Sequence, residues 1–241
     1  MSDGALRGYH LASLILAPVL IRQAVYVRRT VRLLPEAEGP REGQTGSGPP
    51  LRLLIIGDSS AAGVGAGTQD RALLGQVVAR LAEERTVHYR LIARSGARTR
   101  DALRWLDEIE GAFDLVVTAL GINDVTKGTG LQAFLRQQSR LWQRLRDERG
   151  ASLILASGVP PVGRFPALPQ PLRWVVGQRA AIFEAALCKR AAGAAGVALV
   201  GFDQPLDPRE MSEDGFHPGP EIYRKWAEAL VARAALTRPV S

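Results

Sequence analysis

With a single cysteine, Cys188, in 241 residues, the chain can close no internal disulfide and build no cysteine-rich metal site. It also lacks the roughly 20 consecutive apolar residues that a membrane-crossing helix needs. The apolar stretch Leu11 to Ile21, LASLILAPVLI, is eleven residues long and is interrupted by Pro18. Only Arg7 precedes it, Arg22, Arg28 and Arg29 follow it, and no small-residue cleavage site stands before those arginines, so an export signal is not expected. The expected location is the cytoplasm, with peripheral contact to a membrane left open. A phosphate-cradling loop is missing too: there is no G-x-x-x-x-G-K-[ST], and Gly63-Val64-Gly65-Ala66-Gly67 is not G-x-G-x-x-G. Basic residues exceed acidic ones, 31 to 24, but no basic block is interleaved with aromatics, which argues against nucleic acid as a partner. Histidine is scarce, with only His10, His88 and His217 available as bases.

What is present is ordinary for a globular protein: 46% hydrophobic and 23% charged residues. Three regions are expected. Residues 1–34 form an apolar and basic helical arm. Residues 35–50, PEAEGPREGQTGSGPP, have a linker's composition and no apolar period. Residues 51–241 form the main domain. There, strand-like runs at Leu51–Ile56, Thr86–Ala93, Phe113–Leu120, Ala151–Ser157 and Val197–Phe202 alternate with helical periodicity at Asp70–Glu84, Thr99–Glu110, Leu131–Glu148, Arg173–Ala192 and Pro220–Leu236. Thr99 is a plausible helix N-cap. Five apolar strands joined by helices predict a five-stranded, mostly parallel sheet with helices on both faces.

In such a sheet the carboxyl ends of the strands share one edge, where crevices form. Leu51 to Ile56 ends at Gly57-Asp58-Ser59, and a glycine there suits a tight turn. That turn has a reading without chemistry, a plain strand-to-helix connection, and a second as the seat of a nucleophilic serine. The other strand ends favour the second. Gly96 follows the second strand, Gly121-Ile122-Asn123-Asp124 the third, and Asp214-Gly215-Phe216-His217 precedes the last helix. His217 alone among the histidines is placed at this edge, since His10 lies in the arm and His88 inside a strand. Asp214, three residues earlier, can reach the imidazole and fix its tautomer. The Ser59 and Gly96 backbone N–H groups and the Asn123 amide can together hold an oxyanion. Asp58 is expected to brace the serine turn, and Asp124 to cap nearby backbone N–H groups.

These four pieces, in this order, resemble the sequence blocks of the SGNH hydrolases, the GDSL-type esterases and lipases, across most of residues 51–217. Ser60 departs from the leucine common at its position. The resemblance implies a flavodoxin-like three-layer sandwich, no metal or cofactor, an ester or lipid substrate, Ser59, Asp214 and His217 as catalytic residues, and Ser59, Gly96 and Asn123 as the oxyanion hole. Carbohydrate O-acetyl esters and acyl transfer to an acceptor other than water are alternatives within it. A reading of another class is a membrane-recruited module that binds a ligand without turning it over.

Two further expectations concern what surrounds the site. The proline-rich loop Val159–Trp174 is expected to wall an acyl pocket with Phe165, Leu168 and Trp174, which would favour short to medium acyl esters, or lysophospholipid if the arm binds membranes. On a helical wheel Arg22, Arg28, Arg29 and Arg32 fall within one third of the circumference. Residues 11–34 therefore either lie on an anionic membrane surface or dock on the domain.

Overall fold

A computed structural model describes residues 3–202 and 207–237, with the side chains of residues 3–7 and His10 outside the described set. The arm is two helices, α1 (Asp3–Ile15) and α2 (Ala17–Thr30), broken where Pro18 enters the first turn of α2. The sheet has six strands: β1 (Glu42–Thr45), β2 (Pro50–Gly57), β3 (Thr86–Ala93), β4 (Leu115–Ala119), β5 (Leu153–Ser157) and β6 (Val197–Val200). Their spatial order is β1-β3-β2-β4-β5-β6. The last five run parallel, in the flavodoxin-like arrangement.

The sixth strand corrects the expectation of five. β1 pairs antiparallel with β3, from Glu42 opposite Arg90 to Thr45 opposite Val87. It lies in the segment 35–50 expected as a linker, which is instead stitched to the domain. Ala37 N–H also donates to Ala62 O at 3.1 Å and Glu38 N–H to Gly67 O at 2.9 Å. The physical reason is that an edge strand exposed on both sides needs no apolar pattern, and all four residues of β1 are exposed.

The helices form the outer layers. Leu53 and Ile55 of β2 face α3 (Leu73–Leu81) and α8 (Pro220–Thr237). Leu54 and Ile56 face α4 (Thr99–Trp105), α6 (Leu131–Arg149) and α7 (Leu172–Ala192). All four side chains are fully buried, which is why the run is continuously apolar rather than alternating. α4 ends earlier than its periodicity suggests, and its N-cap is Arg98, not Thr99. A short helix without a sequence signature, α5 (Ile122–Thr126), follows β4.

Arm and domain are packed together. Leu20 and Val27 of α2 contact the core layer that includes α7. The Gln23 side chain donates to Gln170 O at 2.6 Å and accepts from Leu172 N–H at 3.0 Å.

Candidate active site

The register of β2 with its neighbours sets the site. Gly57 pairs with Ala93 on one side and Ala119 on the other. Ser59, Gly96 and Asn123 therefore leave three adjacent strands at the same edge. The need for glycine at position 57 is not the backbone freedom that the turn suggested, because Gly57 is not among the residues with positive φ. It is space: a β-carbon there would stand 2.5 Å from both Ala119 O and the Ala61 β-carbon. Only glycine lets the serine turn lie flat against β4.

His217 reaches this edge from the loop before α8. Its Nε2 is 2.9 Å from Ser59 Oγ, and its Nδ1 is 2.6 Å from Asp214 Oδ2. Asp214 Oδ1 accepts from the backbone N–H of Phe216 at 2.8 Å and of His217 at 2.9 Å, and from the Ser212 hydroxyl at 2.7 Å. Burial alone would raise the Asp214 carboxyl, but these bonds from His217, Ser212 and Phe216 outweigh it and hold the group well below the usual carboxylate range. A carboxylate so held stays ionised and orients the imidazole with its free nitrogen toward the serine. A serine, a histidine and an aspartate in this series can activate a hydroxyl as a nucleophile.

The three groups expected to hold an oxyanion leave adjacent strands at this same edge. Among the described residues no protein acceptor takes the backbone N–H of Ser59 or of Gly96. The Asn123 amide nitrogen donates to Asp58 Oδ2 at 3.2 Å, which fixes its orientation. Asp58 Oδ1 meanwhile accepts the Ser60 N–H at 3.0 Å, the brace expected of it. Burial pushes the Asp58 carboxyl up to about 6 against the pull of Ser60, His217 and Asn123. Asp124 caps backbone as expected, at the start of α4. Its Oδ2 accepts the Thr99 N–H at 3.0 Å and the Thr99 hydroxyl at 2.8 Å, tying α5 to the start of α4. His88 is exposed on β3, away from the site.

Beside Ser59 opens a mostly apolar crevice of about 50 Å³. Ile122, Phe165, Met211, Phe216, Ile222 and Trp226 help wall it. Of the three side chains expected there, only Phe165 lines it, in a T-shaped contact with Phe216 whose ring centroids are 5.2 Å apart. Leu168 is buried in the core instead, because the loop turns inward where its N–H meets Phe165 O. Trp174 sits on the first turn of α7, is 40% exposed, and faces Tyr9 of the arm at 6.1 Å. It borders a separate, more polar groove of about 500 Å³, with Arg164, Gln170 and Gln178. Sequence reasoning missed Ser212 and most of the apolar wall. Phe216, within the Asp214–His217 turn, was the one visible signal.

Comparisons with known proteins give the family and the fold. Residues 55–225 match the model of the GDSL-like lipase/acylhydrolase family. The GDSL-like esterase Rv1075c of Mycobacterium tuberculosis is 29% identical over 260 residues, covering 97% of this chain and 82% of that protein. A solved lipase, Lip_vut3 from a goat rumen metagenome, superposes with a TM-score of 0.60 at 20% identity over 76% of this chain and 97% of its own. A family 3 carbohydrate esterase of Clostridium thermocellum superposes at 0.57 with 17% identity, over 77% and 96%. These two share the fold. The match over residues 55–225 spans more than half of the sequence, and the chain belongs to the GDSL-like lipase/acylhydrolase family of serine ester hydrolases.

Proposed function

We propose that this hydrolase cleaves carboxylic esters of short acyl groups through a covalent acyl-enzyme on Ser59. The observation that carries the reading is the hydrogen-bonded series from Ser59 Oγ to His217 Nε2 at 2.9 Å and from His217 Nδ1 to Asp214 Oδ2 at 2.6 Å. His217 takes the hydroxyl proton as Ser59 Oγ bonds to the acyl carbon, and the carbonyl electron pair moves onto oxygen. The Ser59 and Gly96 N–H groups and the Asn123 amide stabilise that oxyanion. Collapse of the adduct expels the alcohol, which leaves with the proton from His217. Water then repeats the sequence on the acyl-enzyme, giving the free acid and restoring Ser59. Asp214 remains ionised throughout and supports the imidazolium.

The crevice supports a short acyl group. It is small, about 50 Å³, and its wall is mostly apolar. A small apolar acyl group such as acetyl or propionyl suits that lining. Removal of acetyl groups from a carbohydrate is a second reading. It is favoured by the groove bearing Arg164, Gln170, Trp174 and Gln178, which shares Pro160 and Phe202 with the crevice wall.

The test is hydrolysis of p-nitrophenyl esters from acetate to laurate, and of peracetylated sugars, by the wild type and Ser59→Ala. The expected result is an optimum at the shortest chains that the substitution abolishes. Equal turnover by both proteins would rule out Ser59 as the nucleophile. An optimum at laurate would overturn the short-acyl assignment while leaving the serine chemistry in place.

A further inference from the structure

The α1–α2 arm has two faces, and among the described residues one of them packs on the domain. Leu20, Gln23 and Val27 recur at helical spacing on the inner face of α2, where the leucine and valine meet the core and the glutamine bonds to Gln170 and Leu172. Beyond α2, Arg32 pairs with Glu213 at 2.9 Å. The arm thus holds the two loops that bear Phe165 and His217 on either side of the crevice.

Among the described residues the outer face meets no partner. Leu11, Leu14 and Ile15 of α1 are 61%, 73% and 69% exposed, and Ile21, Val25 and Tyr26 of α2 are 66%, 45% and 62% exposed. Single exposed apolar residues are normal, but these form a run along two consecutive helices. Arg22, Arg28 and Arg29 are exposed beside them, and among the described residues none of the three forms an ion pair. No aspartate or glutamate occurs between Gly4 and Pro35.

We propose that this face docks on an anionic lipid surface, with the apolar side chains in the headgroup boundary and the arginines on lipid phosphates. Charge complementarity selects this occupant. A second copy of the same face would bring its own unpaired arginines against these without a carboxylate between them. No described helix is long and apolar enough to cross a membrane. An amphipathic pair lying in the interface plane is what such a composition supports. Docking here is independent of the chemistry at Ser59. Its consequence for the enzyme is location: the arm that meets the lipid is the element bonded to both crevice loops.

The experiment is flotation of the intact protein with vesicles of phosphatidylcholine alone or of phosphatidylcholine with phosphatidylglycerol. Binding is expected to the second only, and to be lost when salt shortens the screening length to a few ångströms. Each arginine near such a surface contributes roughly fivefold to partitioning. The triple variant Arg22→Gln/Arg28→Gln/Arg29→Gln should therefore bind on the order of 100-fold more weakly. Ile21→Ser/Val25→Ser should also weaken binding. Both variants alter exposed side chains and should hydrolyse soluble p-nitrophenyl acetate like the wild type. The proposal is overturned if the wild type stays off anionic vesicles at low salt, if it binds neutral vesicles equally, or if the triple variant binds undiminished. It is also overturned if the wild type sediments as a dimer that Ile21→Ser/Val25→Ser dissociates, since a second copy would then cover the face.

Discussion

Asp214 grips His217 at two points of one short turn: Oδ2 meets the ring Nδ1 at 2.6 Å, and Oδ1 takes the His217 backbone N–H at 2.9 Å. One carboxylate thus sets both the path of the turn and the tilt of the ring. Asp214→Asn keeps the shape but replaces one acceptor oxygen with a donor, which favours the wrong imidazole tautomer. kcat on a small ester is expected to fall by about 10⁴-fold with KM little changed. Because the carboxylate is held below its unfolded value, its stabilising effect is present above that value and fades as pH falls through the lower folded one. The variant should be less stable than the wild type at neutral pH, and the gap should close in strong acid. Urea denaturation at several pH values measures it.

Asn123 is expected to act only when charge develops on the substrate. Asn123→Ala removes its amide and should lower kcat by roughly 10²–10³-fold with KM nearly unchanged. A rise in KM at constant kcat would instead make it a ground-state contact. Steady-state kinetics on p-nitrophenyl acetate separate the two.

Asp58 lends itself to a pH test of stability. The folded protein ionises it at about 6, whereas an unfolded chain does so near ~3.9. Between those values the folded state holds the proton more tightly, so the contribution of Asp58 becomes less favourable as pH rises and stays so above 6. Asp58→Asn should therefore raise the unfolding free energy by roughly 3 kcal/mol at pH 8 and by little at pH 3.5. Activity should fall, because Asn123 loses a carboxylate acceptor. A stabilisation equal at both pH values would contradict the buried charge.

Phe165 is the side chain expected to limit acyl length. Phe165→Leu removes ring atoms from the crevice wall and breaks the edge contact with Phe216. The preferred ester should become longer by a few carbons, at a stability cost of roughly 1–2 kcal/mol. An unchanged chain-length profile would show that Phe165 does not face the acyl group.

The parallel strands were legible because burial on both faces demands continuous apolar runs, as in Leu53 to Ile56. β1 was not, because Glu-Gly-Gln-Thr on an exposed edge answers to no such demand, and α5 is too short to show a period. At the site, Ser59, Gly96, Asn123, Asp214 and His217 could be found in sequence because each sits at a fixed place just past a strand or before a helix. The crevice wall could not. Met211, Ile222 and Trp226 meet Phe165 only after α8 and two loops have packed together. The same dependence explains why Leu168 went inward and Trp174 toward the arm: a proline-rich loop announces rigidity but not which side chains it aims at a cavity.

The pairing of β1 with β3 also sets how short a working version of this protein can be. The residues just before β1 reach the reaction edge: the Glu36 carboxylate accepts the Ser95 N–H at 2.7 Å and its hydroxyl at 2.8 Å, beside Gly96, and Arg41 clamps Glu36 to the Ala93 carbonyl. A chain trimmed to start at Leu51 loses that support. It also bares the outer backbone groups of β3, which become a template for another molecule's strand. The smallest soluble, active unit accordingly begins ahead of Glu36, and cuts between there and Leu51 should yield aggregates rather than a lean enzyme.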